Sequence, residues 1–160
     1  PGEKDCPQVI EAVDFLRRVA LGDRTIPGKR VVVIGGGNVA IDAARVTKRL
    51  GAKSVTVVYR RSEKEMPAYA EEIECAKEEG VEFLFLTAPH RICTEMGKVT
   101  GFECLKTTLG PPDASGRRRP LPPCGDRRPR GRAASDRKLV PCGGPLGLRQ
   151  QRLAHRGSHP

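Results

Sequence analysis

Two short stretches of the sequence carry residue types that bind phosphate groups. The first is a glycine-rich run with the pattern G-x-G-x-x-A, which separates a β-branched apolar run from a helical pattern. Gly35 lets the chain turn sharply, Gly37 lets backbone N–H groups approach a pyrophosphate, and Ala40 lets the helix pack closely on the sheet. The helix N-terminus directs free N–H groups and partial positive charge at the phosphates. We therefore predict a dinucleotide site, rather than a purely structural turn, at Gly35, Gly36, Gly37, Asn38, Val39 and Ala40.

The second stretch is Tyr59-Arg60-Arg61, at the end of the next apolar run. An acidic residue at this position accepts hydrogen bonds from the ribose 2′-hydroxyl of NAD, but it would repel the 2′-phosphate of NADP. An arginine fork matches phosphate oxygens, and a second arginine can stack on the adenine. We therefore predict NADP(H), bound by Tyr59, Arg60 and Arg61 with the Ser62 hydroxyl as a further donor, and the same argument disfavours FAD. Two alternatives stay open: the arginines could be solvated surface charges, or Glu63 could restore the carboxylate.

The segments around these stretches predict helices that alternate with strands. We expect helices over residues 9–21, 38–51 and 66–80, and strands over residues 30–35, 54–60 and 81–86. The apolar, β-branched strands are typical of a parallel sheet that is buried on both faces. The expected inner faces of the first two helices are formed by Val9, Val13, Leu16 and Ala20, and by Val39, Ala43, Val46 and Leu50.

Residues 90–108 alternate more weakly and contain a turn at Met96-Gly97-Lys98, which predicts an antiparallel hairpin. Together the elements predict an α/β fold, a Rossmann-like doubly wound parallel sheet with an antiparallel hairpin insertion. We divide the chain into an N-terminal helix and connector (residues 1–29), an NADP(H)-binding domain (residues 30–110) and a C-terminal tail (residues 111–160).

The net charge of +10 is concentrated in this tail. Residues 1–110 hold 17 Lys and Arg against 16 Asp and Glu, whereas residues 111–160 hold 12 against 3. Arg, Pro and Gly make up 27 of the 50 tail residues, a composition that predicts a largely disordered segment. One interpretation is a basic arm that binds nucleic acid through phosphates. The other, which we favour, is that the sequence after about residue 120 was translated in a shifted reading frame.

The cysteines, the apolar runs and the histidines exclude several classes of protein and of site. The six cysteines contain no C-x-x-C pair, and no apolar run reaches the 18 residues of a membrane span. His90, His155 and His159 have no nucleophile or carboxylate at a persuasive spacing, so we expect no catalytic residue and no metal site. We expect a cytoplasmic protein without a signal peptide, cut out of something longer since it starts at Pro1.

Several motifs in order resemble one known family. The glycine loop with Asp42, the "YRR" strand end, "EMPA" (65–68) and "EEGVEF" (78–83) resemble the NADPH-binding domain of the glutamate synthase small (beta) subunit and its relatives, which include dihydropyrimidine dehydrogenase and NADPH-dependent ferredoxin oxidoreductases. The resemblance covers roughly residues 2–122, and residues 2–22 resemble the connector from the FAD domain. Beyond residue 120 it fails: a further buried strand is expected, and "KLVPCGG" (138–144) is its only faint echo.

The resemblance implies an oxidoreductase module in an electron-transfer chain. NADPH bound here would deliver hydride to FAD on a neighbouring domain of the parent protein, and electrons would continue to iron–sulfur clusters and an electron-accepting subunit, either like the glutamate synthase large subunit or ferredoxin-type. This chain itself would hold neither FAD nor the clusters and would be a fragment. The alternatives are a non-catalytic NADP-binding module and, less favoured, a nucleic-acid-binding protein that uses the basic tail.

Overall fold

The computed structural model describes residues 8–121 and 138–141. Its elements in chain order are β1 (Ile10–Glu11), α1 (Ala12–Ala20), β2 (Arg30–Ile34), α2 (Asn38–Arg49), β3 (Ser54–Val58), a 3-10 turn (Glu63–Glu65), α3 (Ala70–Glu78), β4 (Glu82–Leu84), β5 (Thr87–Glu95), β6 (Lys98–Lys106), β7 (Thr108–Pro112), β8 (Arg118–Leu121) and β9 (Lys138–Pro141). The main sheet has the order β1-β9-β2-β3-β4, and β5-β6 and β7-β8 form two separate hairpins. The predicted α/β class with a parallel sheet is confirmed.

The β2-α2-β3 unit is the centre of the domain. β2 and β3 are parallel and in register from Arg30 opposite Ser54 to Ile34 opposite Val58. Four of the five residues in each strand are buried, as expected for β-branched side chains between two covering layers. β4 adds to β3 in parallel, so the carboxyl ends of three strands meet at one edge of the sheet.

One face of the sheet is covered by the three helices. The inward side of α1 differs from the predicted one: Ala12 and Phe15 are fully buried, whereas Val13 is 55% exposed. The large Phe15 ring takes the core position, and Leu16 and Val19 pack beside it. On α2 the predicted Ala43 is buried together with Ala40, Ile41, Ala44 and Thr47, while Val39, Val46 and Leu50 flank this core only partly buried.

The opposite face is covered by the β5-β6 hairpin, which confirms the predicted antiparallel insertion. Its side chains form a second apolar cluster against the sheet, made of Val32, Ile34, Val58, Ile92, Val99, Phe102 and Cys104. The hairpin turns at Met96 and Gly97, both of which have positive φ angles of 47° and 74°. The domain therefore has three layers, with the helices and the hairpin on opposite faces of one sheet.

The C-terminal region differs from expectation where the structure describes it. Residues 138–141 form β9, which pairs antiparallel with β2 on one side and with β1 on the other. Sequence reasoning favoured a shifted reading frame here and saw in "KLVPCGG" (138–144) only a faint echo of the buried strand that the family resemblance implies. The free backbone edge of β2 explains the pairing, since it offers N–H and C=O partners whatever the side chains are. The boundary at residue 110 falls inside β7, and the predicted disorder over 122–137 and 142–160 concerns residues outside the described ones.

Candidate dinucleotide-binding site

The glycine loop joins the carboxyl end of β2 to the first turn of α2. Gly35 has a φ of 138°, a conformation that L-residues rarely adopt. Its N–H donates to the carbonyl of Val58 across 3.1 Å, so the turn remains attached to β3. Gly37 is the N-cap of α2 and offers no side chain to the helix. The free N–H groups of the first helical turn therefore face outward at the sheet edge.

Gly36 is constrained by a neighbour that the sequence pattern does not reveal. A Cβ atom at this position would lie 2.5 Å from Cε2 of Tyr59, closer than real Cβ contacts. The Tyr59 ring is only 7% exposed, and its hydroxyl donates to the carbonyl of Glu65 across 2.8 Å. Tyr59 therefore supports the loop from beneath, and its predicted contact with the dinucleotide stays a prediction. The aromatic residue at the end of β3 was the only signal for this.

At Gly37 the surroundings are open. A Cβ atom there would have no protein atom within 4 Å. Open space, a glycine N-cap and unpaired helix N–H groups are the features that allow a phosphate to approach the backbone closely. The loop therefore fits the pyrophosphate of a dinucleotide, and Ala40, 1% exposed, lets α2 lie close to the sheet as predicted. Val39 packs partly buried beside the core.

The segment after β3 returns to the glycine loop. The N–H of Ala68 donates to the carbonyl of Gly36 across 3.1 Å. The N–H of Tyr69 donates to Oδ1 of Asn38 across 3.0 Å. The "EMPA" stretch thus fixes the loop from the side of α3. The side-chain oxygen of Asn38 is engaged in this bracing, and the predicted contact of Asn38 with the cofactor stays a prediction.

Arg60 and Arg61 leave the carboxyl end of β3 beside the loop. An open cleft of about 210 Å³, including open solvent, is lined by Ile34, Gly35, Val58, Tyr59, Arg60 and Pro89. The backbone of Arg60 is held by Thr107, whose hydroxyl donates to its carbonyl across 2.8 Å. The guanidinium carbon of Arg61 lies 5.9 Å from the centroid of the Tyr59 ring. Its Nε is buried and has no hydrogen-bond partner among the described residues.

Glu63 and Ser62 have partners of their own. Lys77 of α3 donates to the Glu63 carboxylate across 2.6 Å, which directs this acid toward the helix. The Ser62 hydroxyl and N–H both donate to the carboxylate of Glu65, the latter across 3.1 Å. These Ser62 hydrogen bonds are the largest cause that lowers the pKa of the Glu65 carboxyl, and the charges of Arg118 and Arg61 lower it further. Sequence reasoning named neither Glu65 nor Arg118.

The comparison with protein families agrees with this geometry. The model of the pyridine nucleotide-disulphide oxidoreductases matches residues 1–109. The chain belongs to this family. The oxidoreductase domain is therefore related to the glutamate synthase small subunit, as the sequence resemblance suggested.

Several relatives resemble this oxidoreductase domain closely in sequence. The NADPH-Fe(3+) oxidoreductase subunit beta of Geobacter sulfurreducens is 55% identical over 111 residues, which cover 69% of this chain and 16% of that protein. The NADP(+)-dependent formate dehydrogenase subunit beta of Moorella thermoacetica is 50% identical over 115 residues, 71% of this chain and 16% of that protein. The glutamate synthase [NADPH] small chain of Escherichia coli is 50% identical over 96 residues, 59% of this chain and 20% of that protein. The chain thus spans a fifth or less of each.

Solved structures share the fold. FprA of Mycobacterium tuberculosis, solved in complex with NADPH, matches with a TM-score of 0.56 and 19% identity over 82% of this chain and 44% of that one. Within the residues that the structure describes, this oxidoreductase domain has no group of three His, Cys, Asp or Glu side chains that could hold a metal ion. In the same part of the chain, no helix is long and apolar enough to cross a membrane.

Proposed function

We propose that this domain binds NADP(H) in a flavin-dependent oxidoreductase of the glutamate synthase small-subunit type, in the cytoplasm. The observation that carries the proposal is the open backbone at Gly37, which lies at the same sheet edge as Arg60 and Arg61. The first feature suits a pyrophosphate, and the second suits the additional phosphate that distinguishes NADP from NAD. Both lie at the carboxyl ends of parallel strands, where α/β sheets bind nucleotides.

The position of Glu63 supports NADP(H) over NAD(H). Sequence reasoning left open whether this acid would restore a ribose-binding carboxylate. The carboxylate instead pairs with Lys77 of α3 across 2.6 Å. The names of the three relatives described above also all refer to NADP or NADPH, and none refers to NAD alone.

The work of the chain's own residues is to bind and orient. Gly35 and the Ala68 hydrogen bond fix the loop, the α2 N-terminus offers N–H groups to the pyrophosphate, and the arginines hold the 2′-phosphate. Bound NADPH supplies a hydride, for which we propose an FAD acceptor on a neighbouring domain of the parent protein, with iron–sulfur centres and an electron-accepting subunit beyond it. No side chain of this domain needs to exchange a proton in that task.

Calorimetric titration of the chain with NADPH and NADH tests the proposal, with an Arg60→Ala/Arg61→Ala double variant beside the wild type. Loss of two charge-assisted contacts should cost about 2–4 kcal/mol of NADPH binding and little of NADH binding. Lys29→Ala/Lys53→Ala is the matched control. It removes the same charge from exposed residues directly before β2 and β3, at the opposite edge of the sheet.

Equal affinity of the wild type for both nucleotides would contradict the assignment of the arginines to the 2′-phosphate. An equal loss in the lysine control would show that only net charge matters. If a folded chain binds neither nucleotide, the proposed function is wrong for this domain. NADPH binding without turnover is the result that we expect from the chain alone.

A further inference from the structure

The Ser62 donors, which would suit a 2′-phosphate, are already occupied by a carboxylate of the chain itself. Ser62 follows Arg61 at the end of β3, and its hydroxyl and N–H both donate to one oxygen of Glu65. The backbone of Glu65 is fixed as well, because its carbonyl accepts the Tyr59 hydroxyl across 2.8 Å. The carboxylate is therefore held at the strand end where the arginines emerge.

Two arginines add positive charge to the surroundings of this carboxylate. Arg61 lies over the Tyr59 ring on one side, with its Nε buried and without a hydrogen-bond partner in the described residues. Arg118 comes from β8, and its Nε donates to the carbonyl of Gly110 across 3.1 Å, which directs the side chain within its own hairpin. Both positive charges act on the Glu65 carboxyl and lower its pKa. An anion in this position is thus favoured by its surroundings.

We propose that Glu65 is a specificity-determining residue, whose carboxylate occupies the position of the NADP(H) 2′-phosphate in the empty protein and competes with it. This inference rests on the proposed function, since it assumes that Arg61 and Ser62 face the 2′-phosphate. A phosphate that binds there meets a like charge and must displace the carboxylate from Ser62. Glu65 therefore lowers the affinity for NADP(H). It does not repel NAD(H), whose 2′-hydroxyl can donate a hydrogen bond to a carboxylate.

Glu65→Gln separates this effect from folding. A glutamine can still accept the Ser62 N–H, because either Glu or Gln fits three residues after a capping serine. The substitution removes only the charge. Glu63→Gln is the matched control, since it changes the net charge equally, lies in the same 3-10 turn and pairs with Lys77 on the side of α3.

The experiment is titration of the wild type and both variants with NADPH and NADH, with the melting temperature as a check on folding. We expect Glu65→Gln to bind NADPH about fivefold to tenfold more tightly, and NADH no more tightly than the wild type does. Unchanged or weaker NADPH binding in Glu65→Gln would overturn the inference, and so would an equal gain in Glu63→Gln. Wild-type preference for NADPH without that gain would overturn only the role of Glu65. Equal affinity for NADPH and NADH in both the wild type and Glu65→Gln would also overturn the assignment of the arginines to the 2′-phosphate, on which the inference rests.

Discussion

The ring of Tyr59 lies against the backbone of Gly36, so closely that a Cβ atom on Gly36 would be 2.5 Å from Cε2 of the ring. The ring cannot move away easily, because it is buried and its hydroxyl is bound to the Glu65 carbonyl. The middle glycine of the loop is thus required by packing within the domain. Its neighbour Gly37 faces open space, and a requirement for glycine there would come from the ligand.

This difference predicts that an alanine at Gly36 mainly lowers stability, whereas an alanine at Gly37 mainly weakens NADPH binding. Gly36→Ala should lower the free energy of unfolding by about 1–3 kcal/mol, as overpacked sites do. Gly37→Ala should lower it by less than about 1 kcal/mol, since alanine is only a poorer N-cap than glycine. In return, Gly37→Ala should weaken NADPH binding at least tenfold. Urea unfolding and NADPH titration of both variants measure the two effects. A similar loss of stability in both would contradict the packing argument.

Two substitutions of Asn38 separate its hydrogen bond to the loop segment from the effect of charge at the start of α2. Asn38→Ala removes the acceptor for the Tyr69 N–H and should cost about 1 kcal/mol of stability. Asn38→Asp keeps the acceptor and places a negative charge at the start of α2, which favours the helix. The same charge opposes a bound phosphate, so Asn38→Asp should retain stability and lose NADPH affinity. Equal NADPH binding by Asn38→Asp and the wild type would show that the pyrophosphate does not lie at this helix.

The turn of the β5-β6 hairpin offers a stabilising substitution. Met96 is fully exposed and has a φ of 47°. Asparagine tolerates that conformation better than methionine does. Met96→Asn should raise the free energy of unfolding by about 0.5–1 kcal/mol. Met96→Ala removes the same side chain without that preference and should change little. The urea unfolding midpoints of the two variants measure the effect. An equal gain in stability in both would mean that removal of the exposed methionine side chain, and not the turn conformation, is the cause.

The pairing of α2 with α3 predicts a pH dependence of stability. Glu79 accepts hydrogen bonds from Arg49 and Arg45, and these lower the pKa of its carboxyl below the ordinary value of 4.5. Because the folded pKa is the lower one, the contribution to stability is complete above about pH 4.5 and is lost as the pH falls through the folded value. Glu79→Gln should therefore be about 1–2 kcal/mol less stable than the wild type at pH 7.

That difference should shrink as the solution is acidified below pH 4.5, because the wild type then loses the contribution that the variant lacks. Urea unfolding of both proteins at several pH values between 3 and 7 would show it. Glu78→Gln, at the exposed neighbouring position, is the control and should stay parallel to the wild type. A difference in the free energy of unfolding that stays constant with pH would mean that the ion pairs of Glu79 are not the cause of the destabilisation.

The sequence predicted those parts of the fold that depend on local pattern. The runs from Arg30 to Ile34 and from Ser54 to Val58 are apolar and β-branched, so their burial follows from composition. The inward face of α1 could not be chosen in the same way, because its apolar residues form two overlapping stripes. Packing selected the stripe with Phe15, whose large ring fills the core better than Val13 does.

The same distinction between local pattern and distant partners applies to the candidate site. The backbone role of the glycine loop could be predicted, since it follows from a motif and its position between a strand and a helix. The hydrogen bonds of the Tyr59 and Asn38 side chains could not be predicted, because each depends on a partner brought close by the return of the chain after β3. β9 was expected only as a faint echo of a strand for a related reason: its pairing depends on the open edge of β2 more than on its own composition.

The place of β9 has a consequence for how the chain is made. β1, at residues 10–11, pairs with β9 at residues 138–139 in the described sheet, and β9 separates it from β2. A ribosome needs on the order of ten seconds to synthesise the intervening segment. Throughout that time β2–β4 and the three helices can assemble, but one side of β2 stays open to other chains. Protection by a chaperone would be needed most during this interval, before β9 emerges and pairs with β2.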